Sequence, residues 1–416
     1  MDFSKRIIEL AREAEVALRQ DFDEIDAISF DNTQKILDSF RSNRVSESDF
    51  MGSTGYGYDD AGRDKLDKIY AEVLGAEASF VRHSIVNGTQ ALTIGLFGLL
   101  RPGDTLLSIT GKPYDTLEQV IGISGNSGDG SLADFGINYK QVDLLPDGSV
   151  DYSSIRNKIN SKTKVVFIQR SKGYLNRPTL SIEVLKDVIH FIKTISNAFV
   201  MVDNCYGEFT ELSEPSSVGA DLIAGSLIKN PGGGMAECGG YLAGTSKAVE
   251  LCSYRLTSVG VGLEVGATLN QNKNLYKGLF YAPHTVAQAL KTAKFAAFLF
   301  EKLGYDVNPR YNEKRFDIIQ SIFLKNEKNM CAFCRGLQKA SPVDSFATPY
   351  PWDMPGYSDK VIMAAGCFTS GSSIELSADG PIRPPYLIYL QGGLTYESSK
   401  IGIMSAAQEI IDNGIA

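Results

Sequence analysis

One lysine stands apart from the other charged residues of this sequence because of its surroundings. Lys229 ends the apolar run "GADLIAGSLIK" and is followed by Pro231 and three glycines, whereas lysines usually lie on solvated faces among other charges. Burial in such a setting is expected to lower the pKa of the amine and to make it a nucleophile near neutral pH. The hydroxyl of Ser226, three residues earlier, could then reach a phosphate. The alternative is a lysine whose stem lies along a glycine-rich turn with its amine in water.

Two further stretches place polar groups where a ligand could bind. "HSIVNGTQALTIG" contains a turn at Asn87 and Gly88 before a helix that opens at Thr89, and the free N–H groups of a helix start attract anions. "FVMVDN" ends a buried strand in Asp203, which could keep the ring nitrogen of a cofactor protonated. Taken singly, the two stretches also fit a capped helix start and an aspartate that caps a loop. Together with a lysine 26 residues after the aspartate, they match the needs of pyridoxal phosphate.

Short β-rich runs alternate with helical stretches from about residue 78 to 245. Seven runs are candidate strands, among them "TKVVFIQ" and "GADLIAGS", and helices such as "LSIEVLKDVIHFIKTI" separate most of them. Strands that are apolar on both faces and joined by helices indicate a mainly parallel sheet in an α/β layer. Ligands bind beyond the carboxyl ends of such strands. We predict an N-terminal helical segment at 1–50, a large α/β domain at 51–280 and a smaller α+β domain at 281–416.

The composition of the 416-residue chain narrows the classes of function. A net charge of −8, with acids and bases interspersed, argues against nucleic acid or an anionic membrane as the main partner. The N-terminal stretch is charged, unlike a secretory signal, and the longest apolar runs are about half of a membrane span, so we expect a cytoplasmic location. Cys331 and Cys334 lie near the apolar face of a predicted helix, and no second Cys/His pair completes a metal site with them.

The order of these motifs resembles fold-type I pyridoxal-phosphate enzymes, and within them the cystathionine and methionine lyase group. "VDNCYGE" followed by "GADLIAGSLIKNPGGG" is similar to the segment that carries the group's aspartate and lysine, and "RPGDTLLSITGKPYDTLEQVIG" resembles the segment whose tyrosine stacks on the cofactor ring. "STGYGYDDAGRDKL", "IQRSKGY" and "GGGMAECGGY" resemble the methionine gamma-lyase-like branch known for aluminium resistance and cystathionine beta-lyase-like members. The resemblance runs from about residue 50 to the end and implies an aspartate-aminotransferase-like fold with a seven-stranded sheet.

This resemblance implies a role for each cofactor-site residue. Lys229 would bind the cofactor aldehyde and later move protons on the substrate, and Asp203 would pair with the ring nitrogen. Tyr114 would stack on the ring, an arrangement worth about 0.5–1.5 kcal/mol beyond burial, and it is a candidate acid for the departing thiol. The residues implied for the phosphate group are Asn87, Gly88, Thr89 and Ser226.

The resemblance also implies how the substrate is held and how subunits assemble. Arg383 in "DGPIRPPYLIYLQGG" is the preferred arginine for the substrate carboxylate, and Arg170 in "FIQRSKGY" is the alternative. Tyr56 is similar to a tyrosine that reaches the phosphate of a neighbouring subunit, so we expect a homo-oligomer, a tetramer by resemblance, with shared active sites. Ile228 replaces the threonine that usually precedes the lysine, and this departure leaves the substrate's identity open.

The reaction expected from this set is elimination of a thiol from a sulfur amino acid such as cystathionine or methionine, which yields a keto acid and ammonia. Elimination at the β or the γ carbon is left open. A threonine aldolase or an aminotransferase is an alternative, because both use the same lysine, aspartate and phosphate site. A non-catalytic protein that carries the cofactor or contributes to metal tolerance is a third hypothesis, although no carboxylate cluster resembles a hard-metal site.

Overall fold

The predicted strands assemble into one seven-stranded sheet. The computed structural model describes residues 2–354 and 359–413. All seven strands fall on the predicted runs: β1 Ala78–Arg82, β2 Thr105–Ser108, β3 Asn138–Gln141, β4 Thr163–Gln169, β5 Phe199–Asp203, β6 Leu222–Ser226 and β7 Gly240–Gly244. Their order is β1-β7-β6-β5-β4-β2-β3. Strand β7 runs antiparallel to both neighbours and the other pairings are parallel, so the prediction of a mainly parallel sheet is confirmed.

Helices connect and cover these strands. In the described residues they are α1 Lys5–Ala17, α2 Arg19–Ser42, α3 Ala61–Leu74, α4 Gly88–Leu99, α5 Asp115–Ile121, α6 Tyr152–Lys158, α7 Ile182–Ile195, α8 Ser246–Leu256, α9 Asn272–Lys302, α10 Glu327–Lys339 and α11 Tyr396–Asp412. Several begin at a side-chain cap, such as Ser181, which accepts a hydrogen bond from the N–H of Val184 at the start of α7. Helix α9 is the longest of these helices and includes Pro283.

The strands are apolar on both faces because each face of the sheet is covered by its own core. In β4, Val166 and Ile168 belong to the core that includes side chains of α3, α7 and α9. Val165 and Phe167 point the other way, into the core that includes side chains of α4, α5 and α8. Side chains alternate along a strand, so a strand covered on both faces reads as a continuous apolar run.

A second sheet forms in the C-terminal part of the chain. Its strands are β8 Val307–Asn308, β9 Gln320–Phe323, β10 Val361–Ala364, β11 Ser377–Pro381 and β12 Leu387–Gln391, in the order β10-β11-β12-β9-β8. All four pairings are antiparallel. A separate apolar core joins this sheet to α1, α10, α11 and the end of α9. Because α9 continues across position 280/281, the proposed domain boundaries stay predictions.

Three observations bear on other classes of function. No helix within residues 2–354 and 359–413 is long and apolar enough to cross a membrane. Over the same residues, no group of three or more His, Cys, Asp or Glu side chains is arranged to hold a metal ion. Cys331 and Cys334 both lie on α10 and are buried in the core of the second sheet, which agrees with a structural role for this pair.

Candidate active site

A cavity of about 360 Å³ lies where the carboxyl ends of β4, β5 and β6 face the second sheet. Asp203 and Ser226 are the last residues of β5 and β6, and Lys229 follows three residues after β6. Parallel strands bring their carboxyl ends to one edge of a sheet, which is why residues far apart in sequence meet here. Of the ten sequence-predicted site residues, seven line this cavity: Asn87, Gly88, Thr89, Tyr114, Asp203, Ser226 and Lys229.

The amine of Lys229 lies in an acidic rather than a purely apolar environment. Its Nζ is 3.9 Å from the centroid of the Tyr206 ring, a distance at which a cation is attracted to an aromatic face. Burial disfavours the charged amine, but the Cys205 thiol, the Tyr206 phenol and the Asp203 carboxylate favour it, and the net effect raises the pKa of Lys229. The prediction that burial lowers this pKa is therefore wrong for the ligand-free protein, because the sequence did not show which groups surround the amine.

Asp203 is positioned as a buried carboxylate facing the lysine. Only 6% of the residue is exposed, and its Oδ1 accepts a hydrogen bond from the N–H of Cys205 at 3.1 Å. Burial raises the pKa of Asp203, and the charge of Lys229 opposes that rise. A carboxylate so placed is suited to pairing with a protonated ring nitrogen inside the cavity.

The amino end of α4 and the end of β6 form a cradle for an anion. Asn87 caps the helix through its Oδ1, which accepts a hydrogen bond from the N–H of Gln90 at 2.8 Å, while the first N–H groups of a helix have no partner within it. A β-carbon at Gly88 would lie 3.3 Å from Cys205 Sγ and 3.4 Å from Ser226 Cβ, so only glycine leaves this space open. Ser226 Oγ is buried without a hydrogen-bond partner among the described residues. A phosphate group fits both observations.

Tyr114 lies beside the cavity at the start of α5 and packs against a second tyrosine. Its ring centroid is 5.6 Å from that of Tyr174, and a β-carbon at Gly173 would come within 3.2 Å of the Tyr114 ring. The ring of Tyr174 is in turn 4.8 Å from that of Tyr389 on β12. The predicted stacking residue is thus held on an aromatic wall that links the two sheets.

Two polar residues of the cavity were not singled out from the sequence. Gln169 ends β4, pairs in register with Asp203, and has a buried Oε1 without a partner in the described part of the chain. Asp379 lies on β11 across the cavity, and its Oδ1 is likewise buried and without a described partner. The ending of "TKVVFIQ" in a polar residue was an available signal for Gln169, since it repeats the pattern that drew attention to Asp203. Asp379 lies in "CFTSGSSIELSADGP", which resembles the glycine-containing segment that lines the substrate pocket of the lyases, but this resemblance singles out no residue within the segment.

Arg170 does not line the cavity. It is fully buried, and its guanidinium donates to Glu211 Oε2 at 2.7 Å, to Asn204 Oδ1 at 2.8 Å and to Glu214 Oε2 at 3.4 Å. These bonds and those to backbone carbonyls satisfy all three guanidinium nitrogens. The alternative assignment of Arg170 to the substrate carboxylate is therefore incorrect, because a buried ion-pair network beneath the sheet edge engages this side chain.

Arg383 and Tyr56 also lie outside the cavity lining. About half of the Arg383 side chain is exposed, and its Nη1 is 2.7 Å from Asp359 Oδ2. Burial raises the pKa values of Asp115 and Tyr389, and the charge of Arg383 opposes both rises, so Arg383 is within electrostatic range of the aromatic wall. Tyr56 is 73% exposed and stacks on Tyr58, with 5.5 Å between the ring centroids.

Comparison with known proteins places this arrangement in a family. The family model for methionine gamma-lyase matches residues 7–411. The uncharacterized protein YnbB of Bacillus subtilis is 55% identical over 402 residues, 96% of each chain. A solved structure from Clostridium novyi, described as a carbon-sulfur lyase involved in aluminum resistance, is 50% identical with a TM-score of 0.95 and covers 98% of this chain and 96% of its own.

Two further structures support the same placement. A Listeria monocytogenes protein, provisionally described as a cystathionine beta-lyase involved in aluminum resistance, is 50% identical with a TM-score of 0.95, over 97% of this chain and 99% of its own. The pyridoxal-5′-phosphate dependent protein YhfS of Escherichia coli is 16% identical with a TM-score of 0.64, over 93% of this chain and 97% of its own, and shares the fold. The chain belongs to the methionine gamma-lyase family, a family of carbon–sulfur lyases that use pyridoxal phosphate.

Proposed function

We propose that this protein eliminates a thiol from a sulfur amino acid, cystathionine or a methionine-like compound, with pyridoxal phosphate bound in the cavity. The observation that carries the proposal is the meeting of Lys229, Asp203 and the unpartnered Ser226 hydroxyl in one cavity. A lysine amine, an anionic partner for a ring nitrogen and a phosphate cradle are the three groups this cofactor needs. When bound, pyridoxal phosphate supplies a ring that accepts the electron pair released at the substrate α carbon.

The residues that line the cavity have separate roles in this reaction. Asn87, Gly88, Thr89 and Ser226 would hold the phosphate group, and Asp203 would keep the ring nitrogen protonated. The positive charge of that nitrogen would balance the negative charge of Asp203. Asp203 would then contribute less to the raised pKa of Lys229. Lys229 Nζ then removes the proton from the substrate α carbon and, where sulfur is on the γ carbon, a second proton from the β carbon. The carbon–sulfur bond breaks with its electron pair leaving on sulfur. Hydrolysis of the remaining enamine gives the keto acid and ammonia.

The substrate carboxylate is proposed to bind Arg383. Its exposed guanidinium is held by Asp359 at 2.7 Å and lies near the wall formed by Tyr389 and the start of α5. An exposed ion pair contributes little free energy, so exchange of Asp359 for a substrate carboxylate costs little. Bidentate arginine–carboxylate geometry would then orient the amino acid.

A shared active site is proposed on the exposure of Tyr56. Tyr56 and Tyr58 present a stacked aromatic pair that is 73% and 62% exposed, and such rings are common in interfaces between subunits. If Tyr56 completes the phosphate site of a second copy, a Tyr56→Phe subunit and a Lys229→Ala subunit, each impaired alone, will regain activity when unfolded and refolded together. A mixture that stays as impaired as its components would refute the shared site. The tetramer and the cytoplasmic location stay predictions.

The test of the proposed function is the visible absorption spectrum of the purified protein, wild type and Lys229→Ala, before and after addition of L-cystathionine or L-methionine. We expect a yellow wild-type protein that releases thiol and keto acid, and a variant that lacks both the lysine-dependent band and the products. A yellow protein that acts on neither sulfur amino acid would favour the aldolase or aminotransferase alternative. A colourless wild type that takes up no added pyridoxal phosphate would refute the cofactor assignment.

A further inference from the structure

The wall of the cavity opposite the cofactor residues carries one charged group. Asp379 lies on β11 of the second sheet, with 9% of its surface exposed. Among the described residues that line the cavity, it is the only ionisable carboxyl besides Asp203. Asp203, Gln169 and Ser226 come from the ends of strands in the first sheet, where the cofactor is proposed to lie. Asp379 is therefore on the side that faces the substrate.

The two oxygens of this carboxyl group have different surroundings. The Tyr174 hydroxyl donates a hydrogen bond to Oδ2, whereas Oδ1 is buried and has no partner within the described residues. Because Oδ2 already accepts the tyrosine proton, a proton carried by the acid itself belongs on Oδ1. An O–H group at that position is not engaged by Tyr174, and Asp379 is one of the residues that line the cavity.

Because Asp379 is buried, it keeps its proton closer to neutral pH than an exposed aspartate does. Burial raises the pKa of Asp379 to about 6, while the Tyr174 hydrogen bond and the charge of Lys229 act in the opposite direction. Titratable groups from several surrounding elements interact electrostatically with this carboxyl group. They are Tyr174 after β4, Tyr206 after β5, Lys229 after β6, Cys334 on α10 and Tyr389 on β12. Only Lys229 among them is a cation.

We propose that Asp379 is a catalytic acid of the elimination, donating the proton on Oδ1 to the sulfur atom as the carbon–sulfur bond breaks. The proposal rests on the proposed lyase function and replaces Tyr114 as the candidate acid. In this step the electron pair of the carbon–sulfur bond goes to sulfur, the Oδ1–H bond breaks, and a neutral thiol leaves. Asp379 remains as a carboxylate that accepts the Tyr174 hydrogen bond, and it recovers its proton from solvent before the next turnover. Tyr174 is a positioning residue that directs the proton to Oδ1.

The test compares leaving groups that need a proton with leaving groups that do not. S-methyl-L-cysteine expels a basic thiolate, whereas β-chloro-L-alanine, of similar size, expels chloride. The homologous pair for γ elimination is L-methionine and 2-amino-4-chlorobutanoate. In Asp379→Asn the amide oxygen can still accept from Tyr174, but the acidic proton is lost. We expect kcat for the thioether to fall about 100-fold, the lower part of the range for general acids, and kcat for the chloride substrate to stay within about threefold.

Two measurements keep the proposal open to refutation if the variant folds poorly. In the wild type, kcat for the thioether should decline as pH rises through the pKa of Asp379, since the acid form is lost, and kcat for the chloride substrate should not decline there. An infrared band of a protonated carboxylic acid that titrates near pH 6 should be present in the wild type and absent in Asp379→Asn, whatever the activity. The band of Glu208, which titrates near pH 8, should remain in both proteins. Tyr174→Phe, which keeps the ring, should shift both the thioether profile and the infrared titration to higher pH, because a donor to the carboxylate is lost.

The outcomes separate this inference from the proposed function. Equal losses for thioether and chloride substrates in Asp379→Asn, or identical wild-type pH profiles for the two, would overturn the role of Asp379 while leaving the lyase function in place. A wild-type enzyme that eliminates chloride but releases no thiol from either thioether or from L-cystathionine would refute the lyase function and the acid together.

Discussion

Glu208 offers a sharp test of the electrostatics beneath the active site. It is fully buried, its Oε1 accepts a hydrogen bond from the Tyr241 hydroxyl at 2.8 Å, and Oε2 has no partner among the described residues. Burial raises the pKa of Glu208 from 4.5 to about 8, and the charge of Glu214 acts in the same direction. The folded protein therefore binds this proton more tightly than the unfolded chain does.

The sign and the size of the effect on stability follow from this difference. A raised pKa in the folded state means that the stability contribution is complete below pH 4.5 and is lost as pH rises towards 8. At 1.36 kcal/mol for each pH unit, the whole loss is about 5 kcal/mol, of which about 3 kcal/mol falls between about pH 5.5 and 8.5. Glu208→Gln keeps the acceptor for Tyr241 and cannot ionise, so this part of the pH dependence should disappear.

The assay is the free energy of unfolding from reversible urea denaturation of the ligand-free protein, wild type and Glu208→Gln, at about pH 5.5 and 8.5. The difference between the two pH values should be larger in the wild type by about 3 kcal/mol. Parallel pH dependences in the two proteins would refute the assignment of a raised pKa to Glu208. Glu214→Gln is the matched control. It removes one of the two carboxylates that pair with the buried Arg170, so it should destabilise the protein even at the lower pH.

Three further predictions concern the cradle and the two arginines. Ser226→Ala should raise the Kd for pyridoxal phosphate about tenfold or more, as measured by absorbance titration, because its unpartnered hydroxyl would no longer bond a charged group; an unchanged Kd would remove Ser226 from the phosphate site. Arg170→Met should lower the free energy of unfolding by about 3–5 kcal/mol by leaving Glu214 without its cation, which urea denaturation would detect, and retention of full stability would contradict the network. Arg383→Met should leave stability nearly unchanged, since the side chain is half exposed, but raise KM in steady-state assays; an unaltered KM would exclude it as the carboxylate ligand.

The elements that position the cofactor could be predicted from the sequence because their signals are local. Apolar runs such as Thr163–Gln169 and Leu222–Ser226 read as strands covered on both faces, and both are strands in the sheet. In a parallel sheet the carboxyl ends of neighbouring strands meet, so Asp203 and Ser226 could be placed at one edge before any contact was known. The Asn-Gly turn likewise predicted a helix that opens at Thr89, one residue after its observed start at Gly88.

The first helix shows the limit of such local patterns. Its apolar spacing predicts one helix over 4–20, whereas the structure has α1 Lys5–Ala17 and α2 Arg19–Ser42, with Leu18 between them. Leu18 is fully buried in the core of the second sheet. The interruption therefore coincides with a residue whose packing partners lie hundreds of positions away in the sequence.

The sequence by itself determined the strands, their connecting helices, the mainly parallel character of the sheet and the meeting of lysine, aspartate and serine at one edge, because these follow from short-range patterns. The strand order and the antiparallel direction of β7 were not predicted. Only the tertiary structure decided which arginine is buried, which groups set the charge state of Lys229, and which second carboxyl group lines the cavity. Arg170 and Arg383 were both candidates for the substrate carboxylate from the sequence. In the structure, Arg170 is enclosed by Glu211 and Glu214, whereas Arg383 is exposed. Asp379 reaches the cavity because a second sheet packs against the first, and desolvation and charge depend on that packing rather than on the neighbours of a residue in sequence.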